Sequence, residues 1–188
     1  TRALASAWDA PAFMGRGSRL LIDLNRGADD PTIVMKLSDG SIIPGNRDAN
    51  AAEVARRIAA WHAPYHAAIA AQLNRMGPDA VLISMHSFTP RWKTMPRKWE
   101  VGVLYDRDER LARPLMARLQ QAGFIVGDNE PYTGALEGDT LNQHGTRRGL
   151  PHVLIEIRQD LIGSDAAAQD FALRLKPIID AALVDMGK

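Results

Sequence analysis

The sequence predicts an open α/β domain, with a mostly parallel or mixed sheet and helices on both faces. Three observations carry that prediction. Two short apolar runs, 80–85 and 153–157, have the length and β-branched content of buried strands. Longer stretches with helical periodicity, chiefly 50–75, 109–122 and 165–186, lie between and after such runs. Strands alternating with helices pack as a sheet sandwiched between helical layers. A chain of 188 residues suits one such domain, 1–188, and is too short for two large ones.

In chain order, residues 1–8 read as the last turns of an amphipathic helix, which leads us to expect a preceding segment. One or two short strands are expected in 13–23. The segment Ser18-Arg-Leu-Leu-Ile-Asp-Leu-Asn-Arg26 reads as a strand running into Asn25 and Arg26. Residues 26–48, rich in Asp-Gly and Pro-Gly steps, read as a long loop, and loops of that length are usually functional. The helix over 50–75 places Val54, Ile58, Trp61, Tyr65, Ile69 and Leu73 on one face, and Pro64 bends or caps it. Strands are expected at 80–86, 101–105 and 124–126. The helix 109–122 is closed by Gly123. A second long polar loop fills 128–149. The strand bearing Glu156 and a helix over 165–186 complete the chain.

Composition narrows the functional classes. The formal net charge is +1, so no polyanionic partner is indicated. The one basic, aromatic-interleaved stretch, Arg91 to Trp99, reads as a loop over a pocket, because its neighbours are not basic. No stretch approaches a membrane span of about 20 apolar residues. There are no cysteines, which removes disulfides and thiolate zinc sites and fits a reducing, cytoplasmic setting. The oligomeric state is not legible.

The candidate functional residues sit at strand ends, where open α/β sheets place their ligands. Glu156 lies inside an apolar run. A carboxylate there must be paired, or carry a raised pKa that suits a general acid or base near neutrality. A structural ion pair with Arg158 is the competing reading. His86 ends the 80–86 strand, where an imidazole serves as a metal ligand or an acid–base group. Arg19, Asn25 and Arg26 offer the planar fork and the amide that match a carboxylate. His62 and His66 stand four apart on the long helix, a metal-gripping spacing, but no acidic partner lies between them and a structural role is favoured. His144, with Arg147, occupies the second loop, where substrate contact and plain solvation remain equally open. Asp128 to Tyr132 either lines the pocket or turns the chain.

Several segments together resemble the N-formylglutamate amidohydrolase family. They are Ser18 to Arg26, Pro44-Gly-Asn-Arg47, His86-Ser-Phe-Thr-Pro90, Val103-Leu-Tyr-Asp-Arg107, Val126 to Tyr132 and His144 to Leu161. Each is weak alone, but they occur in the family's order across nearly the whole chain. The resemblance implies a fold like that of zinc carboxypeptidases and aspartoacylases. It also implies zinc-dependent hydrolysis of an N-formyl or N-acyl amino acid, a small-molecule substrate, in histidine degradation. His86 would be a zinc ligand and Glu156 the base acting on the attacking water. Asn25 and Arg26 would hold the substrate carboxylate, Arg19 would either help them or polarise the scissile carbonyl, and His144 and Arg147 would lie in a loop that closes on the substrate. The family's other zinc ligands precede the first residue here, so this chain is expected to lack them and their strand. The alternatives are a related deacylase or carboxypeptidase-like peptidase, or a metal-free carboxylate-binding domain.

Overall fold

The computed structural model describes residues 1–187 and has the layered α/β architecture. Its central sheet has four strands: β3 (Leu82–Phe88), β6 (Val101–Leu104), β7 (Val126–Asp128) and β8 (His152–Arg158). Their spatial order is β3-β8-β6-β7. The sheet is mixed: β3 runs parallel to β8 and β6 parallel to β7, whereas β6 and β8 are antiparallel. Two hairpins stand outside it, β1 (Leu37–Ser38) with β2 (Ser41–Ile42) and β4 (Arg91–Trp92) with β5 (Met95–Pro96).

Alternation along β8 divides the molecule. Val153, Ile155 and Ile157 enter the main core with Val101 and Val103 of β6. Leu4 of α1 (Arg2–Trp8), Leu111, Leu115 and Leu119 at and within α4 (Ala112–Gln121), and Leu175 and Ile179 of α6 (Asp165–Asp185) cover that face. Leu154 points the other way, with Leu82 and Leu104, against Leu141 of α5 (Thr140–His144). A residue two positions along a strand returns to the same face. Glu156 therefore shares the α5 side with Leu154, and the register pairs it directly with His86.

The long helix is divided into α2 (Ala51–Arg57), a π-helical turn (Ile58–His62) and α3 (Ala63–Met76). Asn50 caps its start by accepting from the Glu53 amide. Pro64 follows directly on the π-helical turn, where the helical ladder already changes its spacing. The wider turn before it lets Arg57 and His66 engage different parts of the 18–26 segment.

The structure corrects several expectations. Residues 13–26 form no strand. They run as successive turns, with Leu21 N donating to Ser18 O and Arg26 N to Asp23 O. The side chains of Ser18 and Asp23 accept from the amides two residues on, a local pairing that competes with a strand ladder. The apolar residues of this segment pack instead as a small cluster, Ile22 with Ile33 and Val34. The β3 strand continues past His86 to Phe88, because Ser87 and Phe88 keep register with Ile157 and Arg158. The strand expected at 124–126 lies at Val126–Asp128. The second long loop holds α5, capped by Asp139.

Gly102 of β6 faces Glu156 across the antiparallel pair. A Cβ there would collide with the Glu130 carbonyl and press on the Glu156 Cβ at 3.3 Å. Gly102→Ala is expected to lower stability by about 1–3 kcal/mol through overpacking, measured as a reduced urea midpoint at unchanged m-value. An unchanged midpoint would show that the strand shifts without cost.

Candidate active site

Asp23 organises the site. It is buried at 4 % exposure, and its own amide donates to Ile33 O at 2.8 Å. Its Oδ1 accepts from the Asn25 amide at 3.0 Å and its Oδ2 from Arg19 Nη2 at 2.7 Å. Arg26 Nε approaches the same Oδ2 at 3.6 Å and has no hydrogen-bond partner, although it is buried. One carboxylate thus gathers two guanidinium groups and shapes the turn that presents Asn25.

His86 and Glu156 face this turn from the sheet. Burial lowers the His86 pKa, with the Asp23 charge opposing and the Arg19 charge adding to the shift. Burial pushes the Glu156 carboxyl up to about 7, against the opposing pull of Arg19 and then Arg97. Glu156 Oε2 is buried without a partner. Arg158 does not neutralise it. That guanidinium bonds Asp160 at 2.7 Å and the main-chain carbonyls of residues 97–99, so the structural ion-pair reading fails. Glu156 is therefore a carboxylate near its own pKa at neutral pH, able to take up and return a proton.

A cavity of about 580 Å³ opens beside these groups, lined by Arg19, Asp23, Asn25, His86 and Thr140, with apolar walls from α1, α3 and β3. Glu156 does not line this cavity; the strand register places it beside His86, which does.

The other expected residues are placed differently. His144 is in α5 rather than an open loop, buried at 5 % exposure, and its Nε2 lies 2.9 Å from His66 Nδ1. Arg147 is exposed and lies 3.5 Å from Glu137. The two do not act from one flexible segment. His62 and His66 are buried, with ring nitrogens on the main-chain carbonyls of Arg26 and Leu24. Sequence reasoning missed Asp23, whose role comes from the convergence of Arg19 and Arg26 on it. It also missed Arg97, whose guanidinium sits 5.1–5.7 Å from the ring centres of Phe88, Trp92 and Tyr132 and acts electrostatically on Glu156.

Among the described residues no group of three His, Cys, Asp or Glu side chains comes together to hold a metal. His86 and Glu156 fall short of the three protein ligands a catalytic zinc requires. The residues present therefore do not make a complete zinc site.

A buried carboxylate of near-neutral pKa lies on the sheet beside an imidazole, with an arginine pair on the facing turn, a combination compatible with acid–base hydrolysis. The sequence profile for N-formylglutamate amidohydrolase matches residues 1–163. The chain belongs to the N-formylglutamate amidohydrolase family and is an amidohydrolase. It is similar to the crystal structure of a gene product from Agrobacterium tumefaciens, at 32% identity and TM-score 0.89, covering 100% of this chain and 76% of that one. It also shares its fold with N-formylglutamate amidohydrolase from Ralstonia eutropha, at 22% identity and TM-score 0.62, covering 86% of this chain and 73% of that one. No curated protein matches it. Among the described residues no helix is long and apolar enough to cross a membrane.

The buried histidines predict an acid-sensitive fold. Burial, then the His62 charge, lowers the His66 pKa to about 4, with the Leu24 carbonyl opposing and His144 adding to the shift. The edge of the Tyr65 ring also faces it, and Arg148 acts on His144. A histidine depressed in the folded state binds its proton more readily when unfolded, so stability falls as pH drops from about 6.5 to 4. The contribution is roughly 2–3 kcal/mol. His66→Gln is expected to flatten the urea midpoint across that window. An equally steep loss in the variant would assign the acid sensitivity elsewhere.

Proposed function

We propose that the chain hydrolyses the amide bond of an N-formyl amino acid such as N-formylglutamate, releasing formate and the free amino acid. The observation that carries this reading is the buried Glu156, poised near neutrality beside His86, Arg19 and the Asn25–Arg26 turn. Family membership supplies the reaction class, and the Ralstonia eutropha neighbour carries the same activity in its name.

In this reading Glu156 takes a proton from the attacking water. The carbonyl oxygen of the formyl group gains negative charge, and the Arg19 guanidinium faces it. Collapse of the tetrahedral species breaks the C–N bond, and Glu156 returns its proton to the departing amine nitrogen, so proton and electron pair are both accounted for. Asn25 and Arg26 bind the substrate carboxylate and fix the amide against Glu156, which converts binding energy into orientation. The Asn25 side-chain oxygen already accepts from the Thr140 amide at 3.2 Å, which leaves its NH₂ as the donor for a carboxylate. His144 and Arg147 are not assigned to substrate contact, since one is buried against His66 and the other lies beside Glu137.

Zinc dependence enters the proposal in a restricted form. His86 is the ligand these residues would contribute, and no step is assigned to the metal.

Three measurements test the reading. Glu156→Gln keeps the shape of the side chain but cannot accept a proton, and turnover is expected to fall roughly 10²–10⁴-fold with substrate binding retained. Near wild-type turnover would remove Glu156 from the chemistry. Arg26→Ala is expected to raise KM about ten- to a hundredfold for substrates with a free carboxylate, and far less for their carboxamides. Arg26→Lys recovers part of the loss, because it keeps the charge without the fork. Parallel effects on acid and amide would take Arg26 out of the site. His86→Ala is expected to lower the zinc retained by full-length protein after dialysis against a mild chelator, read by elemental analysis. Undiminished zinc would make His86 structural.

A further inference from the structure

Three histidines, His62, His66 and His144, stand on the helices that hold the Leu24–Arg26 turn. His62 Nε2 lies 2.8 Å from the Arg26 carbonyl oxygen, and His66 Nε2 lies 2.9 Å from that of Leu24. A carbonyl oxygen only accepts, so both Nε2 atoms carry protons. In a neutral ring His66 Nδ1 is then an acceptor, and its 2.9 Å contact makes His144 Nε2 the donor. The geometry thus fixes the tautomers of His62 and His66 and the direction of the bond from α5 to α3.

The other side of the turn is held from the start of α5. The Thr140 amide donates to Asn25 Oδ1 at 3.2 Å, and the Thr140 hydroxyl reaches the Leu24 carbonyl at 3.5 Å. Asn25 is bracketed in the chain by two carbonyls that each accept from an imidazole. The imidazoles are themselves packed together, with ring centres 4.2 Å apart for His62 and His66 and 5.1 Å apart for His66 and His144. Three imidazoles in a buried layer are a costly way to fill space. An apolar side chain of similar size would pack as well, but it would strip the Arg26 carbonyl of its imidazole donor and leave the Leu24 carbonyl only the 3.5 Å contact from Thr140.

We propose that His62 and His66 are positioning residues for the substrate-carboxylate turn. They hold the Arg26 and Leu24 carbonyls so that the Asn25 amide and the Arg26 guanidinium face the substrate together, and His144 keeps His66 in the tautomer this requires. The inference rests on the reading of Asn25 and Arg26 as carboxylate-binding groups. Neither histidine touches the reacting atoms.

The test compares His66→Leu with His66→Gln in the full-length protein, on an N-formyl amino acid and its carboxamide. His66→Leu is expected to raise KM for the acid about tenfold, the cost of one misplaced charge-assisted contact. kcat for the acid and kcat/KM for the carboxamide should stay within a few-fold of wild type. His66→Gln places an amide donor where Nε2 stood and should recover most of the loss. Adding Arg26→Ala to His66→Leu should cost less than the sum of the two single losses, since both act on one carboxylate-binding turn. Equal losses on acid and carboxamide, or additive losses in the double variant, would overturn the proposal. His62→Leu and His62→Gln repeat the comparison through the Arg26 carbonyl and decide the matter if His66→Leu does not fold. Amide hydrogen exchange at Asn25 and Arg26 separates the two readings. Exchange that is faster in His66→Leu and normal in His66→Gln upholds the clamp even if Arg26→Ala fails to distinguish acid from carboxamide. Unchanged exchange in His66→Leu refutes the clamp, even where the carboxylate reading stands.

Discussion

Glu156 sits in an interior strand of the sheet with one carboxylate oxygen removed from water and from every protein donor. That desolvation sets conditions for its surroundings. A full negative charge there is expensive, and nearby positive charge must offset it without quenching it. Arg19 and Arg97 act at a distance, and neither forms an ion pair with it. Arg19 is held on Asp23 instead, and Arg97 is held among aromatic rings by bonds to Thr89. Had either guanidinium closed on Glu156, the carboxyl would be fixed in its charged form and would lose its capacity to exchange a proton.

The same constraint explains the backbone around the site. Gly102 opposite Glu156 lets the Glu130 carbonyl approach β6, and it leaves no side chain to compete for the space in front of the carboxylate. The His86–Glu156 pairing follows from the parallel register of β3 and β8, so the placement of these two groups is written into strand pairing rather than into a flexible loop. The groups proposed to bind the substrate lie on turns, but those turns are tied to helices by side-chain hydrogen bonds. Precision at the site therefore depends on buried polar contacts that sit outside it.

Much of this was legible in the sequence. β3 and β8 announce themselves as apolar runs interrupted by one ionisable residue, and the helices by their periodicity. The strands mattered because they carry His86 and Glu156. The segment 13–26 was misread because its alternation of apolar and polar residues suits a strand and a chain of turns equally. The side chains of Ser18 and Asp23 decided for turns by bonding their own backbone. His144 was misplaced because its short helix begins after a cluster of loop-favouring residues, and only its burial against His66 shows its role. Asp23 escaped notice because its importance comes from convergence: it gathers Arg19 and Arg26, and no single spacing advertises that.

The π-helical turn at Ile58–His62 gives the long helix two rotational settings in place of one. Upstream of it, Arg57 reaches the Leu21 and Gly45 carbonyls and the Asn46 side chain. Downstream, His66 reaches Leu24. An uninterrupted α-helix advances about 100° per residue, so losing one residue within the wide turn would rotate one anchor set away while the other stayed in place. Insertions and deletions in this stretch are therefore far less tolerable than substitutions. The helix behaves as a two-pronged gauge whose spacing sets the 18–26 segment, and between its anchoring residues length is what that stretch must preserve.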